Sequence, residues 1–213
     1  MAILKQGLFG PVTGKIGNLV TATWKGINYV RQAPHKSKKP PTAAQIATRE
    51  RFRFINKLNK PLNPFFKAGF HELAIHKSEI NVAFSRASKN VVSGIYPNFQ
   101  VDYSEITISA GRLAQLDEVE MLQTHSQILD IAWTSEYWRN HGAYDDQVMV
   151  AILCPEIDVA DGFIGATDRS DQKCTIKFSS KFIGKEIAVY IGLYSLNRRL
   201  ASDSQFLGKF IAI

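Results

Sequence analysis

Acidic residues are almost missing from the first part of this chain. Residues 1–92 hold only Glu50, Glu72 and Glu79 against 16 Lys and Arg, a net charge of +13. Cysteine is as scarce: Cys154 and Cys174 are the only two in 213 residues, which rules out a disulfide framework. Both sit in apolar, strand-like segments and read as free buried thiols, with a cross-strand disulfide as the lesser alternative. No run of about 18 apolar residues occurs, so no membrane-spanning helix is expected. Lys5, Gly7 and Gly10 interrupt the N-terminus before a signal-peptide core could form. Synthesis in the cytoplasm without a general secretory signal is therefore expected, with release inside an assembly or by a specialised route left open. No internal repeat and no low-complexity segment is visible.

What is present is an ordinary globular composition, 45% apolar and 21% charged, with an uneven distribution of charge. Residues 93–213 carry ten basic and 16 acidic side chains, a net of −6, so the total of +7 hides a basic half joined to an acidic one. Such a split points to a polyanionic partner for the basic half, or to head-to-tail contact between copies of the same protein.

Residues 18–33 read as a β-hairpin. Val20, Ala22 and Trp24 alternate with Thr21 and Thr23, Lys25-Gly26 supplies the turn, and Ile27 to Arg31 returns. The glycine-rich stretch before it is expected to be extended. A basic loop rich in proline, residues 33–42, leads to Thr42, which with Gln45 makes a capping-box pattern. The helix that follows should end near Asn59, before Pro61. Ala44, Ala47, Phe54, Ile55 and Leu58 line one side of it, and Arg49, Arg53, Lys57 and Lys60 the other. Arg51 points into the apolar side and calls for a buried or interfacial acceptor. Short helices are expected around Phe65 to Leu73 and over 79–91, with Ser93-Gly94 closing the helical region.

From about residue 98 the period changes to two. Strands are expected near 99–109, 117–123, 127–134, 146–154, 162–167, 172–179, 186–195 and 204–212, at the spacing of a β-sandwich. The fold class expected is α+β: an N-terminal β-hairpin and short basic helices (1–95), then an acidic antiparallel β-sandwich (96–213).

The Leu129/Ile131/Trp133 strand, the apolar Val148–Leu153 run and the Tyr-bearing Glu186–Ser195 strand resemble a fibronectin type III or immunoglobulin-like sandwich. The lack of an inter-sheet cysteine pair favours the fibronectin version. Over its whole length the chain also resembles an uncharacterised domain-of-unknown-function family of Bacteroidota. That resemblance rests on Gly14-Lys15-Ile16-Gly17-Asn18, on Trp24-Lys25-Gly26 followed by Arg31, and on Thr42-x-Ala44-Gln45-x-x-x-Arg49-x-x-Phe52. It implies no activity, cofactor or catalytic residue.

Several motifs approach known chemistry and miss it. Gly10-Pro-Val-Thr-Gly14-Lys15-Ile16 has one residue too few for a phosphate loop, and Ile16 stands where a magnesium-binding hydroxyl belongs. His71 and His76 are five apart, about 140° around a helix, where a zinc-protease helix needs four. Glu156, Asp158 and Asp161 cluster without the calcium-loop spacing. No nucleophile signature surrounds any Ser or Cys. We therefore expect no enzyme, no cofactor, no metal and no small-molecule substrate. The expectation is a self-assembling structural protein, a subunit of an oligomer, filament or phage-like assembly, in which the basic half contacts the acidic half of the next copy. The extended N-terminus suits strand addition to a neighbour's sheet. The contact residues would be Lys36, Lys38, Lys39, Arg49, Arg53, Lys57 and Lys60. The alternative is sequence-tolerant nucleic-acid binding by the same cations, with Trp24 and Tyr29 as stacking groups.

Overall fold

The computed structural model describes residues 2–4, 12–35, 39–134, 144–197 and 199–213, with side chains from residue 12 onward. The chain divides into two compact units, Met1–Ala43 and Ala44–Ile213.

In the first unit β1 (Ala2–Leu4), β2 (Val12–Ile16), β3 (Leu19–Trp24) and β4 (Ile27–Gln32) form one antiparallel sheet in sequence order. The expected hairpin is its β3–β4 half, and the extended glycine-rich stretch supplies two further strands. Lys25 and Gly26 both have positive φ, 47° and 80°, the geometry of the two-residue turns that match strand twist. That turn sets the register: Trp24 faces Ile27, Ala22 faces Tyr29 and Val20 faces Arg31. Thr21, whose hydroxyl donates to the Gly14 carbonyl, is the one buried residue among the described side chains of this sheet.

The second unit opens with α1 (Ala43–Asn59), starting and stopping where the sequence predicts. α2 (Asn63–Gly69) begins after Pro61, with Pro64 in its first turn. α3 (Glu79–Arg86) is capped by the Ser78 hydroxyl, which accepts from the Asn81 N–H at 3.2 Å. The helix expected over 79–91 changes character at Ala87, where the backbone widens into a π turn to Val91. Arg51 explains how that turn is held. Its guanidinium donates to the carbonyls of Ser88 (2.9 Å) and Val92 (2.7 Å), the acceptors its position on the apolar side demands.

A hairpin of β5 (Val92–Ile95) and β6 (Asn98–Val101) follows, with a cis Tyr96–Pro97 peptide in its turn. The strand expected over 99–109 is thus only four residues long in β6. Beyond it the chain passes through a short turn, and Ala110 N–H donates to the Gly69 carbonyl at the end of α2. Seven strands then fall where the periodicity puts them: β7 (Asp117–His125), β8 (Ile128–Thr134), β9 (Gln147–Cys154), β10 (Val159–Asp168), β11 (Lys173–Lys177), β12 (Glu186–Tyr194) and β13 (Gln205–Ile211). They form a four-stranded sheet, order β10-β9-β12-β13, and a three-stranded sheet, order β11-β8-β7.

The four-stranded sheet is covered on both faces. Val148, Val150, Ile152 and Cys154 of β9, with Val189, Ile191 and Leu193 of β12, join Leu129, Ile131, Trp133 and Ile176 of the other sheet in one core. Met149, Ala151, Leu153 and Tyr190 face the opposite way, into a core built with Ile55, Leu62, Phe66, Phe70 and Val82 from the helical segment. Residues 44–95 and the strands therefore share a hydrophobic core. Two-sided burial explains why β9 and β12 read as continuous apolar runs where a one-sided antiparallel strand would alternate. Both cysteines lie in the inter-sheet core as free thiols, and burial pushes the Cys174 thiol up to about 12.

Candidate interaction surfaces

The cations predicted on α1 are all exposed, and two of them are already engaged. Arg53 pairs with Glu50 one turn away (2.5 Å), and Lys57 reaches Asp158 (2.8 Å). Arg49 and Lys60 have no ion-pair partner among the described residues. Lys39 lies at the described end of the basic loop, whereas Lys36 and Lys38 fall outside the described residues. Exposed pairs of this kind contribute little to stability, about 0–1 kcal/mol.

The first unit gathers Trp24 and Tyr29 into a more definite surface. Side chains alternate along a strand, and cross-strand partners share a face. From the register, one face carries Val20, Ala22, Trp24, Ile27 and Tyr29, flanked by Lys15 and Arg31. The other carries Ile16, Leu19 and Val30. Ile16, Leu19, Trp24, Ile27, Tyr29 and Val30 are all exposed, although a sheet normally hides one side. The first acidic residue of the chain is Glu50, so residues 1–43 carry seven Lys and Arg and no counter-charge. Lys25 lies 5.9 Å from the centre of the Trp24 ring.

The acidic half presents a different surface. A groove of about 700 Å³ runs over the three-stranded sheet and is lined by Glu120, Leu122, Asp130, Ala132, Asp171 and Lys173, among others. Registry aligns Glu120, Ala132 and Lys173 across the three strands, and Leu122, Asp130 and Thr175 in the next row. Leu122 is 66% exposed. Thr124 and Thr175 each donate a hydroxyl to Asp130 at 2.5 Å, which holds its carboxyl below the usual range. Sequence reasoning did not find this groove, because it depends on the order β11-β8-β7, in which non-consecutive strands meet.

A second feature that sequence reasoning missed lies inside. Arg169 is 2% exposed, its Nε is 3.5 Å from Asp146, itself buried, and its guanidinium also donates to the Ala114 carbonyl. The Arg169 carbonyl accepts the Trp133 indole N–H at 2.9 Å. Burial lowers the guanidinium pKa and Asp146 opposes that shift. Asp146, at the start of the strand expected over 146–154, is the buried counter-ion of an arginine.

The near-miss motifs resolve into structure. Val12–Ile16 of the loop-like glycine motif is strand β2. His71 and His76 lie beyond the end of α2, on no common helix. Asp161 accepts the N–H groups of Gly162 (2.8 Å) and Ser179 (2.9 Å), a fold-holding role. Among the described residues no group of three His, Cys, Asp or Glu side chains could hold a metal ion. Among the described residues no helix is long and apolar enough to cross a membrane.

Fold and surfaces together define a two-unit protein of mixed helices and antiparallel sheets. The chain belongs to a family of unknown function, DUF6266, which it matches over residues 11–208. The match takes in β2, β3 and β4 of the first unit as well as nearly all of the second. No curated protein matches the sequence.

Proposed function

We propose that this protein is a non-enzymatic, self-assembling structural subunit, in which the basic N-terminal half of one copy contacts the acidic strand-rich half of the next. One observation carries the reading: the β1–β4 sheet buries a single described side chain and exposes apolar residues on both faces. A small sheet is stable in water only when a hydrophobic face is packed. Contiguous exposed apolar surface of this kind marks an interaction site. The lack of any acid in residues 1–43 makes an acidic partner surface the complement. A contact between two different patches propagates into a ring or an open polymer.

Within this reading the second unit carries a fibronectin type III-like sandwich. In its support, the first, second and fifth of the seven strands (β7, β8, β11) face the fourth, third, sixth and seventh (β10, β9, β12, β13). Trp133 sits at the core on the second strand, and no disulfide joins the sheets.

The test is sedimentation velocity and negative-stain electron microscopy of the nuclease-treated full chain, at low and high salt. Regular oligomers or polymers that shrink as salt rises are the expected outcome, because screening weakens exposed charge pairs. A monomer at tens of micromolar in both salts overturns the reading.

A second reading is favoured by one specific observation. Trp24 and Tyr29 share a face with Lys15 and Arg31, an arrangement suited to stacked bases and phosphates. Sequence-tolerant nucleic-acid binding would then appear as quenching of Trp24 fluorescence by a single-stranded oligonucleotide, reversed by salt. No quenching at low salt sinks it.

A further inference from the structure

We infer that the groove over the β11-β8-β7 sheet receives the β3–β4 hairpin of a second copy, with the Trp24–Ile27–Tyr29 face laid against Leu122. The inference rests on the assembly reading above and names the two surfaces that would meet.

Both surfaces are incomplete in the same way. Leu122 stands in the middle of a strand face with two thirds of its surface in water, beside Ala132 and below a groove of about 700 Å³. That volume falls in the range of roughly 300–1,000 Å³ typical of clefts that seat compact groups. Trp24, Ile27 and Tyr29 are each more than 40% exposed and lie together on one sheet face. Aromatic anchors entering a cleft are the usual energetic centre of a protein interface.

The charges match as well. Glu120, Asp130 and Asp171 rim the groove, with Lys173 as the cation among the lining residues. Lys15, Lys25 and Arg31 flank the hairpin face, and no carboxylate lies within its unit. Asp130 accepts two neutral hydroxyls, so it keeps its negative charge where a cation would approach. An anionic nucleic acid would be repelled by this rim. The occupant that matches both the apolar centre and the charged border is the hairpin of the same chain.

The donor and acceptor are different patches, so the contact is heterologous. That property gives a decisive experiment on the full chain. Trp24→Ala removes the donor and Leu122→Lys the acceptor, and each substitutes an exposed residue. Ile27→Glu serves as a second donor variant should Trp24→Ala lose native far-UV circular dichroism. Sedimentation velocity at low salt should show the wild type assembled and each variant alone near the 23.8 kDa monomer. Their equimolar mixture should form a one-to-one dimer, since one intact donor then meets one intact acceptor and cannot extend further. Variants that assemble like the wild type, or a mixture that stays monomeric, overturn the groove assignment while leaving assembly itself standing. A wild type that is monomeric throughout overturns both.

Discussion

The two regions of this molecule treat the same kind of strand in opposite ways. In β12 eight of nine residues are buried, on both faces at once. In β2, β3 and β4 together only Thr21 is. Both sets of strands are rich in Val, Ile and Tyr, so strand propensity does not separate them. What separates them is cover: helices and a second sheet enclose β12, whereas the described side chains of β2, β3 and β4 other than Thr21 are partly or fully exposed. Strand formation is a local matter, whereas the stability of a sheet comes from what lies against its faces.

Five substitutions would break or sharpen this comparison. The largest effect is expected for Asp146→Ala, which leaves Arg169 charged and buried without its counter-ion. Removing one partner of a buried pair costs about 3–5 kcal/mol, read as a lower midpoint in urea denaturation. A loss below 1 kcal/mol would mean that the Ala114 carbonyl and the nearby Asp117 carboxylate satisfy the guanidinium.

Next comes a matched pair. Ile152→Ala in the fully buried centre of β9 should destabilise by about 2–5 kcal/mol. Val30→Ala on exposed β4 should change the stability of the dilute protein by no more than about 0.5 kcal/mol. Equal losses at the two sites would erase the distinction between the regions. A Val30→Ala effect that grows with protein concentration would instead place β4 in an interface between copies.

Arg51→Met keeps the apolar stem and removes both bonds to the π turn, for an expected loss of about 1.5–3 kcal/mol. An unchanged denaturation midpoint would show that the turn holds itself.

The smallest effect is one of pH. The Thr124 and Thr175 hydroxyls lower the Asp130 pKa from its ordinary 3.8. A depressed carboxylate stabilises the fold above its unfolded-state pKa, and that contribution disappears as pH falls through the folded value. The melting temperature of Asp130→Asn should therefore fall less steeply than that of the wild type below pH 4. Parallel acid curves would remove Asp130 from the account.

Much of this architecture was legible in residues read one after another. α1 runs from Ala43 to Asn59 because a capping-box threonine precedes it and Pro61 follows it closely. The Lys25-Gly26 turn sets the register that brings Trp24 and Tyr29 to one face. Arg51, out of place on an apolar stripe, announced a buried acceptor and found two carbonyls. Each of these follows from local backbone chemistry, or from a periodicity that a short window contains.

What the sequence by itself determined is α1, the β3–β4 hairpin with the turn that registers it, the seven strands from β7 to β13, and the separation of basic and acidic halves. The tertiary structure alone decided three other things. It set which strands are neighbours, so that Glu120, Asp130 and Lys173 from three separate segments line one groove. It made Asp146 the buried partner of an arginine 23 positions later. It covered both faces of β9 and β12, while most described side chains of β3 and β4 stay exposed. The physical reason is common to all three: long-range neighbours are selected by the burial of whole faces, a collective property that no short stretch of residues carries.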